Sequence, residues 1–583
     1  MNLFEYFRCE LMLIVNQLVD EGDLPKNIET NRISVDPPRD LSHGDMTTNA
    51  AMILAKKVGL TPFDLAQLIT RKLKRNKWIQ KTDIAGPGFI NVCLKNYFWH
   101  ERLNEILLAG NKYGESAIGV GKEVNVEFVS ANPTGPLHVA HARGAVVGDA
   151  LSSLLEKAGF NVIREYYIND AGGQVDILAR SAYLRYCEAL GKKIGSIPEG
   201  LYPGDYLKPV GEAIANKIGD SWLEAAEEVW LEEIKELATS MMMELICEDL
   251  DSLGVQFDVH TSEKSIVKKG SVDDVLKKFE ELNLVYTGTL DPPKGRVPDD
   301  WEARPQTLFK ATKFGDSVDR ALKKADGSWT YFATDMAYHL DKFQRGFVNM
   351  VDIWGADHGG YVRRMKAAIE AGTNGKGNLD IKICQMVHLK KDGKTVIMSK
   401  RSGEFVPLRF LIENAGRDVV RFMMLTRKND SQMEFDIDKA LEQSRDNPVF
   451  YVHYAHARCC SVLRTAIDHW GSGWASNKAL ANAELGLLTD PAELEIIKIM
   501  ASWPRLVESA AEAHEPHRVA YYLNELATQF HSLWNKGNDN ASLRFINFDQ
   551  ESLTRSRLAL VQGVAIVISS GLQVMGVTPL KEL

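Results

Sequence analysis

Residues 124–175 read VNVEFVSANPTGPLHVAHARGAVVGDALSSLLEKAGFNVIREYYINDAGGQV. Residues 124–129 are β-branched and aromatic, which predicts a buried strand. Residues 130–136 carry Asn, Gly and two Pro, the chemistry of a turn. From about His138 to Lys157 the apolar spacing becomes helical, and Gly159 is a plausible stop. Residues 162–167 form a second strand. Strand–turn–helix–strand is the unit of a parallel α/β sheet. In such sheets a ligand sits at the carboxyl ends of the strands, against the helix N-terminus.

That turn carries the chemistry. His138 and His141 are three residues apart at a helix start, so they share a face. Free N–H groups and the partial positive charge of the helix start favour anions. Two imidazoles there can donate to phosphate oxygens and to charge that develops during reaction. Small residues follow (Ala140, Ala142, Gly144, Ala145), which lets a large ligand approach the backbone. A pair of core histidines near a helix cap would read the same over four residues. The preceding Pro133-Thr134-Gly135-Pro136 tilts the reading towards a site, because it fixes the strand exit and the helix entry.

The segment His138-Val139-Ala140-His141 resembles the ATP-binding signature of class I aminoacyl-tRNA synthetases, usually His-Ile-Gly-His. The wider string SANPTGPLHVAHARGAVVGD is similar to arginyl-tRNA synthetases of the bacterial type, and the resemblance extends over nearly the whole chain. It implies a Rossmann-like α/β catalytic domain at about 120–403 with an insertion at about 185–306. It also implies an N-terminal α/β module (1–115), a helical connector (404–446) and an all-helical anticodon-binding domain (447–583).

Composition sets the bounds. A chain of 583 residues, 45% hydrophobic and 25% charged, has the length and balance for several globular domains. Seven cysteines form no CxxC pair, so no zinc ribbon or disulfide framework is expected, and a reducing cytoplasm is. The N-terminus lacks the order of a signal peptide, and no membrane span or membrane partner is expected. The net charge of −9 argues against a uniformly basic nucleic-acid binder and leaves RNA contact to local patches.

The N-terminal stretch predicts helices at 4–18, 50–58 and 62–74, then a strand, turn and strand at 84–92. Lys74, Arg75 and Lys77 cluster beside Trp78 at the end of the third helix. Such a cluster suits a phosphate backbone with a stacking platform, and equally a solvated helix face. The strings HGDMTTNAAM and AGPGFINV are similar to the N-terminal domain of the family, which implies tRNA contact at the D-loop.

After the acidic helical stretch around 222–251, the α/β rhythm resumes. Tyr331 and Asp335 open a helix, with Tyr338 and His339 beyond them. An apolar strand at 348–353 ends in Trp354-Gly355-Ala356-Asp357-His358, where polar residues face the ligand crevice. A strand at 381–387 leads to Met398-Ser399-Lys400-Arg401-Ser402. That loop resembles the second class I signature, Lys-Met-Ser-Lys-Ser, with Ile397 in place of the first lysine and Arg401 in place of the last serine. The resemblance implies that the loop closes over ATP and that Lys400 stabilises the departing pyrophosphate. Whether Lys394 or Arg401 stands in for the missing lysine stays open.

The remainder holds helical spacing with few breakers. DNPVFYVHYAHAR resembles the start of the family's anticodon-binding domain, in which Tyr451, Tyr454 and Trp534 are candidates for stacking on unpaired bases. Aromatics at helical spacing also pack inward.

A guanidinium presents five donors in a rigid fork, best read by carboxylates. The resemblance implies Glu127, Ser130, Asn132, His141, Tyr331 and Asp335 around arginine. It implies Pro133, Gly135, His138, His141, Asp357, His358, Met398 and Lys400 around ATP, with His138, His141, Ser399 and Lys400 as the catalytic set. Mg²⁺ accompanies the ATP, and no structural metal is expected. Arginyl-adenylate would form first and the tRNA ribose would then attack it, with cognate tRNA needed even for the first step. A pocket that leaves its acids unpaired against a wrong amino acid can discriminate by roughly 10⁴–10⁵ without editing. The expected partners are tRNA, arginine and ATP, and the expected state is a monomer. Two other readings compete. One is a class I enzyme for a different amino acid or small acid. The other is a non-enzymatic RNA-binding relative.

Overall fold

The computed structural model describes residues 2–290, 304–324, 326–396 and 406–583. At its centre is a five-stranded parallel sheet, whose elements we number in chain order. The strands are β1 (Glu123–Glu127), β2 (Asn161–Ile168), β3 (Val259–Ser262), β4 (Asn349–Gly355) and β5 (Asn378–Cys384). Their spatial order is β5–β4–β1–β2–β3. The chain therefore builds outward from β1 in one direction, then returns to β1's other edge. That reversal opens a crevice at the carboxyl ends of β1 and β4, the place where α/β sheets bind ligands.

β1 is central, and four of its five residues are buried. This is why the sequence reads as an apolar run rather than an alternation. It leads through the Pro-rich turn into α1 (Val139–Lys157). The helix packs tightly on the strand: a β-carbon at Gly148 would meet the Phe128 side chain at 2.2 Å.

The stretch expected to interrupt the α/β rhythm, 185–306, returns to the sheet at β3. Val-His-Thr-Ser carries too little apolar signal for a periodicity argument to find it. Before that return, α2 (Gly173–Ala189), the helix Lys208–Ile218 and α3 (Glu227–Leu253) enclose a core of their own around Tyr186, Val210, Trp230 and Ile234. Next come α4 (Glu263–Lys268) and α5 (Tyr331–Gln344). The strand expected at 381–387 divides. β5 ends at Cys384, and Val387–Lys391 joins a separate sheet with Lys394–Thr395 and Met433–Asp436. The break is held where Gln385 N–H donates to Asn429 O at 2.8 Å.

The N-terminal module is a four-stranded antiparallel sheet backed by the helices Leu3–Asp20, Ala50–Val58 and Pro62–Leu73. Its expected hairpin is Ile79–Ala85 with Phe89–Leu94. Gly88 turns it at φ 132°, and a β-carbon there would meet Pro62 at 2.8 Å.

The C-terminal region is helical, built on α6 (Pro448–Trp470), α7 (His517–Asp539) and α8 (Glu551–Val574). α8 has the length and apolarity of a membrane span, but 83% of that window is buried inside this chain. It is the core helix of the bundle. One apolar cluster runs from Leu3 through the catalytic sheet to Val577. Buried Arg421 fastens the seam: it donates to Met575 O (2.9 Å) and Leu253 O (3.0 Å) and pairs with Asp149 of α1.

Candidate active site

The crevice at the strand ends has two parts. The first is the turn after β1. Val129 (φ 67°) and Ser130 (φ 38°) adopt left-handed backbone, uncommon for such residues and costing about 1–3 kcal/mol each. The strain turns Ser130 back over the strand, where its Oγ donates to Glu127 Oε1 (2.9 Å) and accepts from Tyr167 N–H (3.1 Å). The rest of the turn is held from outside. Tyr166 donates to Ala131 O (2.8 Å) and Tyr206 to Thr134 O (2.9 Å). Gly135 is needed here, because a β-carbon would meet the Tyr206 ring at 2.9 Å. Leu137 N–H donates to Asp249, which also receives Arg409.

His138 and His141 then open α1 with ring centres 3.9 Å apart, and His138 N–H donates to His141 Nδ1 (3.2 Å). Both rings are half-buried. Of the four small residues that follow, Ala142 and Ala145 pack inward, while Ala140 and Gly144 face outward, with open space at Gly144. Residues 406–408 lie against this turn: Val139 N–H donates to Val406 O (3.1 Å) and Leu408 N–H to Leu137 O (2.8 Å). Met398, Ser399, Lys400 and Arg401 fall outside the described residues.

The second part is a cavity of about 440 Å³ behind the turn. Glu127, Ser130, Tyr331, Asp335 and His358 line it. Asn132, His141 and Asp357 do not. Exposed Asn132 reaches it through Gln174, donating to that residue's Oε1 at 2.7 Å. Tyr331 stands at the mouth, 57% exposed.

Glu127 is a buried residue of a central strand, not a solvated strand end. It receives Lys342 Nζ at 2.5 Å, and the same ammonium lies 3.3 Å from Asp352 Oδ1. Asp335 is not a helix cap, since Thr330 caps α5. Asp335 accepts from Tyr361 OH at 2.8 Å. Burial pushes the Asp335 carboxyl up to about 6, with Glu127 and Asp352 adding to the rise and Tyr361 opposing it.

Glu263, at the start of α4, was not singled out in the sequence. It is buried in the cavity wall, and its Oε2 has no hydrogen-bond partner. Burial raises its carboxyl to about 7, with Asp335 and Asp170 contributing. Neither Asp335 nor Glu263 makes an ion pair with any described residue. Tyr167 and Tyr338 present buried hydroxyls without partners on the same wall. A cavity with two raised acids and three unfilled polar positions fits a cation with several N–H donors.

Among the described residues, Glu127, His339 and Asp352 bring ligand atoms within 4.8 Å of one another. Lys342 Nζ already occupies that space, so the group does not fit a resident metal ion.

Two outlying surfaces carry the remaining candidates. Lys74, Arg75 and Lys77 are exposed. Lys77 Nζ lies 4.4 Å over Trp78, which stacks on the 59% exposed Tyr97 at 5.6 Å. In the helical region, half-buried Tyr451, Tyr454 and Trp534 gather around Arg458 and His531. The guanidinium lies 4.0 Å from the Tyr454 ring and 4.5 Å from Trp534. It donates to His531 Nδ1 (2.9 Å), which leaves the Nε2–H to donate to Tyr451 O (3.1 Å). Burial lowers the His531 pKa, in keeping with that neutral tautomer.

Comparison with known proteins covers the same three regions. Residues 10–94 match the arginyl tRNA synthetase N terminal domain, residues 102–446 the catalytic domain of class I (R) tRNA synthetases, and residues 452–583 the DALR anticodon binding domain. The arginine–tRNA ligase of Parvibaculum lavamentivorans is 56% identical over 583 residues, covering all of both chains. That of Ruegeria pomeroyi is 53% identical with the same coverage. The solved Thermus thermophilus arginyl-tRNA synthetase shares the fold with a TM-score of 0.70 at 19% identity, covering 99% of this chain and all of that one.

Proposed function

The chain belongs to the arginine–tRNA ligases of class I, and we propose a division of labour among its residues for that reaction. The enzyme ligates arginine to tRNA at the cost of ATP, and its C-terminal region is the anticodon-binding domain. The division is as follows. The cavity behind the turn takes the arginine side chain. Asp335 and Glu263 receive the guanidinium, and Glu127, held by Ser130 and Lys342, receives the α-ammonium. Tyr331 and Asn132 with Gln174 border the entrance. The observation that carries this reading is the pair of buried, unpaired acids, which an apolar or anionic side chain would leave stranded.

ATP lies along the turn, over Pro133, Gly135, His138 and His141, with Asp357 and His358 beside the adenosine. Arginine's carboxylate attacks the α-phosphorus, giving arginyl-adenylate and pyrophosphate. His138 and His141 donate to the developing charge, and Met398, Ser399 and Lys400 complete the catalytic set. Mg²⁺ carried on the nucleotide would neutralise phosphate charge. The tRNA ribose then attacks the adenylate and AMP leaves.

The proposed modules are 1–115, 120–403 and 447–583, with 404–446 connecting. Lys74, Arg75 and Lys77 meet the tRNA backbone, and Tyr451, Tyr454 and Trp534 meet the anticodon loop. The enzyme works as a monomer in the cytoplasm. Seven free thiols support the cytoplasmic placement.

ATP–pyrophosphate exchange with each amino acid, with and without tRNA, tests the reading. Exchange with arginine alone among amino acids is expected, and only when tRNA is present. Exchange with another amino acid would overturn the pocket assignment. Exchange without tRNA would remove the tRNA requirement and leave the pocket intact.

A further inference from the structure

The parallel register places three carboxylates side by side. Glu127 of β1 is the register partner of Asp352 on β4 and of Glu165 on β2. In a parallel pair such partners share a face of the sheet, and like charges so placed repel. All three are buried. A single helix face answers them. His339, Lys342 and Arg345 follow one another at three-residue spacing on or just past α5, so they point the same way.

Each meets the row. Lys342 Nζ, fully buried, lies between Glu127 Oε2 (2.5 Å) and Asp352 Oδ1 (3.3 Å). Arg345 donates to both oxygens of Glu165 (2.8 and 3.0 Å). His339 has its Nδ1 2.8 Å from Asp335 O and its Nε2 2.7 Å from Asp352 Oδ2. Both partners only accept, so both ring nitrogens carry hydrogen and the ring is cationic. Burial pulls the Lys342 ammonium down, but Asp352 and Glu127 outweigh it and hold it above its ordinary value. The same contest, with the same outcome, raises His339.

Three acids are thus balanced by three cations, which separates this row from Asp335 and Glu263, the acids left for substrate. We propose that Lys342 is a positioning residue for arginine: by balancing the carboxylate row it keeps Glu127 anionic and aimed into the cavity. The inference rests on the reading that Glu127 contacts arginine. Lys342 itself touches no substrate.

Remove the ammonium, and the row must take up a proton to bury its charge. Arginine use then becomes more pH-sensitive. The groups in play are Glu127, Glu165 and Asp352 on the strands, Tyr338, His339 and Asp341 on α5, Arg345 just past it on Glu165 and Asp341, and Asp335 and Glu263 in the cavity.

The test is arginine kcat/KM in tRNA aminoacylation between pH 6 and 9, with ATP KM measured alongside. In Lys342→Met the acid limb is expected to move up by about one pH unit or more, so that arginine kcat/KM falls at least about tenfold at pH 6.5 and recovers to within a few-fold of wild type at pH 8.5. ATP KM stays unchanged. Lys342→Arg restores the wild-type profile. Lys342→Met with Asp352→Asn removes one charge of each sign and also restores it; this variant is read if the single variant fails to fold. A loss that is the same at every pH, or a double variant with wild-type folding and no arginine affinity, would overturn the proposal. Glu127→Gln separates the two layers. If its arginine KM is that of wild type, the underlying reading fails. If it rises while Lys342→Met matches wild type throughout, the inference alone fails.

Discussion

The turn at 130–141 and the cavity behind it share a strand but are built by opposite means. The turn is contiguous: strand exit, strained Ser130, Gly135 and two histidines lie within twelve residues. Its partners from elsewhere (Tyr206, Asp249, Val406) only fasten it. The cavity is assembled from Glu127, Tyr167, Glu263, Asp335 and Tyr361, which come from five separate segments. Most N–H groups of the turn are engaged within the protein, so the turn offers an anion chiefly its two imidazoles. The cavity offers raised, unpaired acids to a cation. The difference teaches where each substrate's recognition resides on this reading: the generic nucleotide is met by one contiguous segment, and the specific amino acid by long-range packing.

The sharpest way to break this contrast is at Asp335. Asp335→Ala removes a buried acid from opposite the guanidinium and leaves the turn alone. Loss of such a partner costs about 3–5 kcal/mol, so arginine kcat/KM should fall roughly 10²–10⁴-fold in aminoacylation. ATP KM should change less than about threefold. A matching rise in ATP KM would mean the two regions are one site.

Glu263→Gln comes next. It keeps shape and one acceptor but removes the charge, so about 10–100-fold in arginine kcat/KM is expected. Wild-type activity in this variant would remove Glu263 from the pocket's charge.

The two outlying surfaces should respond separately from both regions. Lys74→Glu with Lys77→Glu is expected to weaken tRNA binding about tenfold and to flatten its salt dependence, measured by filter binding at several salt concentrations. Arginine KM should not move.

The smallest effect is on stability. Asp335 and Glu263 titrate at about 6 and about 7 when folded, above their values in an unfolded chain. The folded state then holds more protons than the unfolded one between about pH 4 and 7, so stability falls as pH rises through that window. Arginine favours the ionised acids, so its stabilising effect should grow over the same range. Thermal melts at pH 5.5 and 7.5 should show arginine raising Tm by roughly 1–3 °C more at the higher pH. An equal shift at both would mean that these acids do not meet the cation.

Legibility in the sequence follows the same divide. The strand–turn–helix unit, the two histidines and most N-terminal helices were readable, because local spacing and turn residues determine them. Glu127 and Asp335 were nameable only by resemblance, since a lone acid in a strand or helix start has several bland uses. Glu263, Tyr167 and Tyr361 carry no local mark: they become site residues only when β2, α4 and the segment after β4 converge. β3 itself was hidden by its four mostly polar residues. Lys342 had a faint signal in its spacing from His339 and Asp335, but its three acidic partners lie on three strands far apart in the chain.

One titration tests the division most directly. Arginine is titrated by calorimetry into wild type, His138→Asn and Asp335→Asn at pH 7.5, without ATP. Wild type and His138→Asn should bind arginine within about threefold of each other, while Asp335→Asn should bind at least about 100-fold more weakly. If His138→Asn loses arginine as completely as Asp335→Asn, or if Asp335→Asn binds like wild type, the assignment of nucleotide to the turn and arginine to the cavity is contradicted.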